Sequence, residues 1–159
     1  MRGAGQSSDT RSGIDRYRLR RFVDAQSGVY AEVLAELTAG RKMSHWMWFI
    51  FPQIAGLGVS SMAQRFALSG VDEASSYLAH PMLGARLREC TSLVNACPSD
   101  RSVDGIFGYP DSLKFHSCMT LFARAVPEAQ EFQTALRRFF HGRLDPNTLA
   151  RLQEHTAAP

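Results

Sequence analysis

Helix-stop signals recur so closely along this chain that helices longer than about 16 residues are excluded. Gly28, Gly40, Pro52, Gly70, Pro98, Gly108 and Pro146 each fall between runs of apolar residues at helical spacing. Tyr30, Val33, Leu34 and Leu37 recur at i, i+3, i+4 and i+7 before Gly40. Pro81 suits the first turn of a longer helix, where its missing N–H costs nothing. Leu83, Leu87, Cys90 and Val94 form the apolar face of that helix, and Cys97-Pro98 ends it. Ser102 caps a short helix reaching Phe107, which Gly108 stops. Pro110 and Asp111 start the next, with Phe115, Met119 and Phe122 at i, i+4 and i+7. From about Glu128, the residues Phe132, Leu136, Phe139 and Phe140 mark an amphipathic helix, and Asp145-Pro146 opens a last short one. Strand-like alternation is scarce. The stretch WMWFIF has strand-suited residue types, but Ser44 as N-cap and Pro52 as terminator favour a helix from His45 to Phe51. The expected fold is all-α: a compact, irregular bundle of short helices.

A chain of 159 residues that is 45% hydrophobic can bury a real core without disulfides or a structural metal. We expect one helical domain over residues 14–154. Residues 1–13 (MRGAGQSSDTRSG) carry too little apolar surface to offset their ordering entropy and are expected to form a disordered tail. Residues 155–159 are expected to fray. The net charge of +3 is a weak excess, gathered partly in Arg16, Arg18, Arg20 and Arg21. No basic stripe runs through the folded part, which argues against nucleic-acid binding. The three cysteines, Cys90, Cys97 and Cys118, show no CxxC and no zinc-type Cys/His spacing. They are expected to be reduced thiols in a cytoplasmic protein, and no metal site or cofactor is expected. The strongest apolar run, Trp46–Phe51, is far too short to span a bilayer.

Two blocks stand apart from routine core. The first, KMSHWMWFIFPQIAGLG (42–58), packs two Trp, two Phe, a His, a Gln and two Gly into one short stretch. With rings on nearly every side, it is either buried all round or lines a cavity. A buried indole N–H needs a partner, which His45 or Gln53 would supply unless they face a ligand. The second block, IFGYPDSLKFHSCMTLF (106–122), aligns Asp111, Lys114 and Ser117 or Cys118 along one side of a helix, with Thr120 three residues after Ser117 and Leu113, Met119 and Phe122 opposite. Asp111–Lys114 is either a surface ion pair at i, i+3 or the start of a polar stripe entering a pocket. In the pocket reading Lys114 binds an anion, Asp111 orients it or acts as a base, and Ser117 and Thr120 donate hydrogen bonds. Cys118 lacks a base at helical spacing and reads as core.

Together with RFVDAQ (21–26) and YLAHPMLGARLREC (77–90), these blocks resemble the family catalogued as domain of unknown function 1810. The resemblance runs from about Leu19 through the helix of Phe132–Phe140. It implies a mostly helical single domain without an established activity. Some relatives carry the label calpastatin, though nothing in this chain resembles a calpain-inhibitor repeat. Asp111, Lys114, Ser117, Met119 and Thr120 fit the family pattern, whereas His116 and Cys118 depart from it.

Two functional classes follow. One is a pocket for a nucleotide-like or anionic small molecule. Its ligand-binding candidates are Trp46, Trp48, Gln53, Lys114, Ser117 and Thr120, and its catalytic candidates, should there be chemistry, are Asp111, Lys114 and His45. The other is a non-catalytic protein-interaction or regulatory module, which would expose a patch around Trp46, Trp48 and Phe51.

Overall fold

The structure, a computed structural model, describes residues 15–157. The expected tail at 1–13 lies outside the described residues. Among them are ten helices and no strand, so the protein is all-α, and a single parallel bridge joins Ile54 to Leu68. The helices are α1 (Arg20–Gln26), α2 (Tyr30–Thr38), α3 (Met47–Ile50), α4 (Ser61–Arg65), α5 (Val71–Ala79), α6 (Pro81–Asn95), α7 (Val103–Phe107), α8 (Asp111–Ala125), α9 (Gln130–Phe140) and α10 (Pro146–Ala157). The last helix therefore extends three residues into the segment expected to fray. None of these helices is long and apolar enough to cross a membrane.

Two helices of 15 residues, α6 and α8, form the frame. Helices α5 and α9 each pack on both of them and so hold the frame together. On the outer side of α6 lie α1, α2 and α3, and on α8 lie α7 and α10. Short helices cannot align over many turns, so the bundle relies on interlocked rings. One aromatic chain runs Phe66–Phe22–Tyr77–Phe122–Phe132, with centroid separations of 5.0 to 5.7 Å. A second joins Trp46, Phe51, Phe107 and Phe115. Tilted and edge-on rings of this kind contribute beyond their buried area.

The local signals that govern α5 to α8 are simple. His80 alone joins α5 to α6, and its Nδ1 accepts hydrogen bonds from the amides of Met82 and Leu83. Pro81 fills the first position of α6, as its ring geometry favours. Three residues further on, Gly84 lies so close to the end of α5 that a Cβ there would stand 1.9 Å from the Leu78 carbonyl oxygen. Ser102 caps α7 through the Gly105 amide at 2.9 Å, and Gly108 closes it with φ +78°.

RFVDAQ supplies two long-range ties. The Arg21 guanidinium donates to the carbonyls of Arg65 and Ala67 and meets Glu73 at 3.1 Å. Gln26, buried, donates from Nε2 to the Phe49 carbonyl at 2.8 Å and accepts at Oε1 from Arg86 at 3.1 Å. One polar side chain thus binds α1, α3 and α6 together.

Gly84 sets a sharp test of the α5–α6 joint. Gly84→Ala should lower unfolding free energy by about 1–3 kcal/mol in urea denaturation, although alanine favours an isolated helix by about 1 kcal/mol. An unchanged or raised midpoint would mean the two helices are not in this close register.

Candidate functional site

The first block is organised by a carboxylate that sequence reading did not single out. Glu36, near the end of α2 and only 9% exposed, accepts at Oε1 from the amides of Met43 (2.7 Å) and Ser44 (3.0 Å). The same oxygen accepts the Trp46 indole N–H at 2.9 Å. The Ser44 hydroxyl stands 2.6 Å from both Glu36 Oε2 and Glu32 Oε2. Burial raises the Glu36 carboxyl, but the Ser44 hydroxyl, the two amides and the indole together outweigh it and bring its pKa down to about 2.

This arrangement corrects three expectations. Ser44 does not cap a helix, because its hydroxyl is turned back to the α2 carboxylates. The helix is accordingly a single turn, Met47–Ile50, entered from Trp46. Neither His45 nor Gln53 serves the indole, since Glu36 does. His45 itself stands exposed in the loop.

The two blocks meet at Asp111. Its Oδ2 lies 2.9 Å from Lys42 Nζ and its Oδ1 lies 3.2 Å from Lys114 Nζ. Each ammonium also faces an indole at 5.2 Å from the ring centroid, Lys42 over Trp46 and Lys114 over Trp48. Lys42 is the more committed cation: its side chain is 7% exposed, and it donates to the Ser44 carbonyl as well. Lys114 is 26% exposed, and the carboxylate takes only one of its three donors. Both Asp111 oxygens thus face ammonium groups, which favours the ionised carboxylate.

Trp48 is half-buried and faces a second feature, a cavity of about 160 Å³. Gln53, Gln64, Phe66, Gly56 and Gly58 line it with Trp48. The cavity is shaped by backbone pairing: the Leu68 amide donates to the Gln53 carbonyl, and the Ala55 amide donates to the Leu68 carbonyl. Outside the lining, Arg151, from α10, packs against Gly56. A Cβ at Gly56 would stand 2.7 Å from the guanidinium carbon, and φ there is +96°. The space that holds Arg151 therefore exists only because residue 56 has no side chain.

The sequence candidates divide as follows. Trp48, Gln53 and Lys114 come together at this cavity and its neighbouring indole. Trp46 is buried, 2% exposed, against Glu36. Ser117 and Thr120, read as pocket donors, are buried and serve α10: the Ser117 hydroxyl lies 3.0 Å from Asp145 Oδ2, and Thr120 Oγ1 accepts the Asp145 amide at 2.9 Å. Asp145 in turn caps α10 through the amide and hydroxyl of Thr148. Leu113, placed opposite the polar stripe in the sequence reading, is 53% exposed. Cys118 is fully buried, and burial pushes its thiol well above the ordinary range, which disfavours the thiolate and fits the core reading. Cys90 is likewise pushed up, to about 12, mainly by burial. Sequence reading missed Lys42 as the closer partner of Asp111, and Arg151 and Phe66 at the cavity. Only the Lys42 position carried a signal, as the first residue of the aromatic block.

The profile of the family described as "Protein of unknown function (DUF1810)" matches residues 16–152. The chain belongs to this family. A crystal structure of the conserved hypothetical protein Rv1873 from Mycobacterium tuberculosis is similar at 51% sequence identity and a TM-score of 0.85. The match covers 87% of this chain and 99% of that one. No curated protein matches the chain. Family membership and the neighbour thus bring a fold and no activity, and the geometry alone carries the functional reading.

The Glu36 network makes a pH-dependent prediction. A carboxyl held near 2 in the folded state and near 4.5 when unfolded stabilises the fold fully above about pH 4.5. That contribution is lost as pH falls toward about 2. Glu36→Gln should cost about 1–3 kcal/mol at pH 7 and flatten the loss of stability between neutral and acid pH. Urea denaturation at pH 7 and pH 3.5 reads both effects; a variant as acid-sensitive as wild type would remove Glu36 from this role.

Proposed function

We propose that this protein binds a small anionic compound carrying one planar ring, with the ring in the Trp48–Gln53 cavity and the anionic group toward Lys114. The observation that carries the reading is the position of Trp48, which borders the cavity and lies under the Lys114 ammonium. A cavity of about 150 Å³ is known to hold a benzene-sized ring, and this one is about 160 Å³. Gln53 lines the cavity and would offer its amide group to ring heteroatoms. Arg151, paired with Glu154 at 3.2 Å, packs against the lining residue Gly56. We place this binding in the cytoplasm, in keeping with three buried, unpaired thiols.

Binding without chemistry is the better-supported form of this reading. Asp111 faces an ammonium at each oxygen, His45 is exposed in a loop, and Cys118 is buried. A second reading, a protein-interaction or regulatory module, rests on a different observation. Met43, Tyr109 and Leu113, which flank the Lys42–Asp111–Lys114 cluster in sequence, are 66%, 76% and 53% exposed. The patch expected around Trp46 and Phe51 does not support that module, because both rings are buried.

A thermal-shift screen of single-ring carboxylates and phosphates tests the proposal. A true ligand at 100 times its Kd should stabilise the fold by about 2.7 kcal/mol and alter Trp48 fluorescence. Lys114→Ala should remain folded, because Lys42 keeps Asp111 paired, and should weaken that ligand about tenfold. Absence of any shift across such a set, or equal affinity in Lys114→Ala, would reject the site.

A further inference from the structure

A separate groove lies on the far side of Lys42, between the turn that ends α2 and helix α7. Its volume is about 470 Å³, and Arg41, Arg101, Asp104, Gly105 and Gly108 line it together with Lys42. We propose that this groove binds the phosphate group of a small organic phosphate, held between the guanidinium groups of Arg41 and Arg101. This goes beyond the Trp48 site, which shares none of these residues.

Three observations support the assignment. The first is charge. Lys42 contributes little to the groove's field, because its ammonium is paired with Asp111. That leaves two guanidiniums against the single carboxylate of Asp104. Neither Arg41 nor Arg101 forms an ion pair within 4.0 Å among the described residues.

The second is preorganisation. Arg101 is half-buried, and its guanidinium donates to the Gly40 carbonyl. Gly40 takes φ +77°, a turn that brings this carbonyl to Arg101 and sets Arg41 next in the chain. A fixed guanidinium retains further donors in a planar fork, which matches phosphate oxygens.

The third is access. A Cβ at Gly108 would meet nothing within 4 Å, so a ligand can approach the backbone there. Tyr109 and Met43 adjoin the lining residues Gly108 and Lys42 and are 76% and 66% exposed. They offer apolar surface for the organic part of the ligand. A doubly charged phosphate suits two guanidiniums better than a carboxylate does, and the groove exceeds the size of a bare anion.

Isothermal titration of the full chain with inorganic pyrophosphate tests the proposal. Arg41→Glu is the informative variant, because Arg41 is exposed and reversing its charge breaks no bond the structure gives. Wild type should bind saturably, and Arg41→Glu should weaken binding at least about tenfold. Arg124→Glu, which removes the same charge from the exposed side of α8, should change it less than about twofold. Lys114→Ala should bind as wild type. No saturable binding by about 10 mM would overturn the proposal. So would equal losses in Arg41→Glu and Arg124→Glu, which would reduce the effect to net charge. Loss in Lys114→Ala with retention in Arg41→Glu would move the anion to the Trp48 site and reject the groove.

Discussion

Glu36 places a buried negative charge near the end of a helix, where the dipole does not favour it. What keeps it there is a ring of donors from the next ten residues: two amides, a hydroxyl and an indole N–H. Those donors belong to the loop that carries Lys42 and Trp46, so the carboxylate sets the path of the chain between α2 and α3. With that path fixed, Lys42 reaches Asp111 and Trp48 comes under Lys114. Removing the charge would leave four donors with weaker acceptors and would free the loop that joins the two halves of the site.

The ion cluster follows a similar logic on a smaller scale. Ammonium groups withdrawn from water need both a counter-charge and something better than bare hydrocarbon around them. Asp111 supplies the first to two lysines, and the faces of Trp46 and Trp48 supply the second. The aromatic richness of the first block and the charged stripe of the second are therefore parts of one structure. Much of the aromatic content is core, as in Trp46 and Phe51, and Trp48 is the ring that remains half-open.

Where structure is decided by neighbours in sequence, the sequence was readable. Ser102 and Gly108 bracket α7, Pro81 opens α6, and Asp145-Pro146 opens α10, because caps and stops act within one turn. The all-α class followed from helical spacing alone. Reading failed where a local preference lost to a distant group. Ser44 is a good capping residue, but two carboxylates one helix away captured its hydroxyl. Ser117 and Thr120 lie on the expected face of α8, yet their partner Asp145 is 25 or more residues on. The Trp48–Lys114 meeting was inferable as two unusual blocks in search of each other. Arg151 was not, since nothing in its own segment marks it.

The contact between Arg151 and Gly56 bears on the order in which the molecule is completed. Every residue that lines the cavity lies between Trp48 and Ala67, in one continuous stretch. Arg151 comes from α10, which packs on α8 and is tied to it by Asp145 and its hydroxyl partners. During synthesis the cavity can therefore form while Arg151 is still missing. The contact of Arg151 with Gly56 is thus completed only when α10 docks. It would also be the first to go if α10 detached while the rest of the bundle stayed intact.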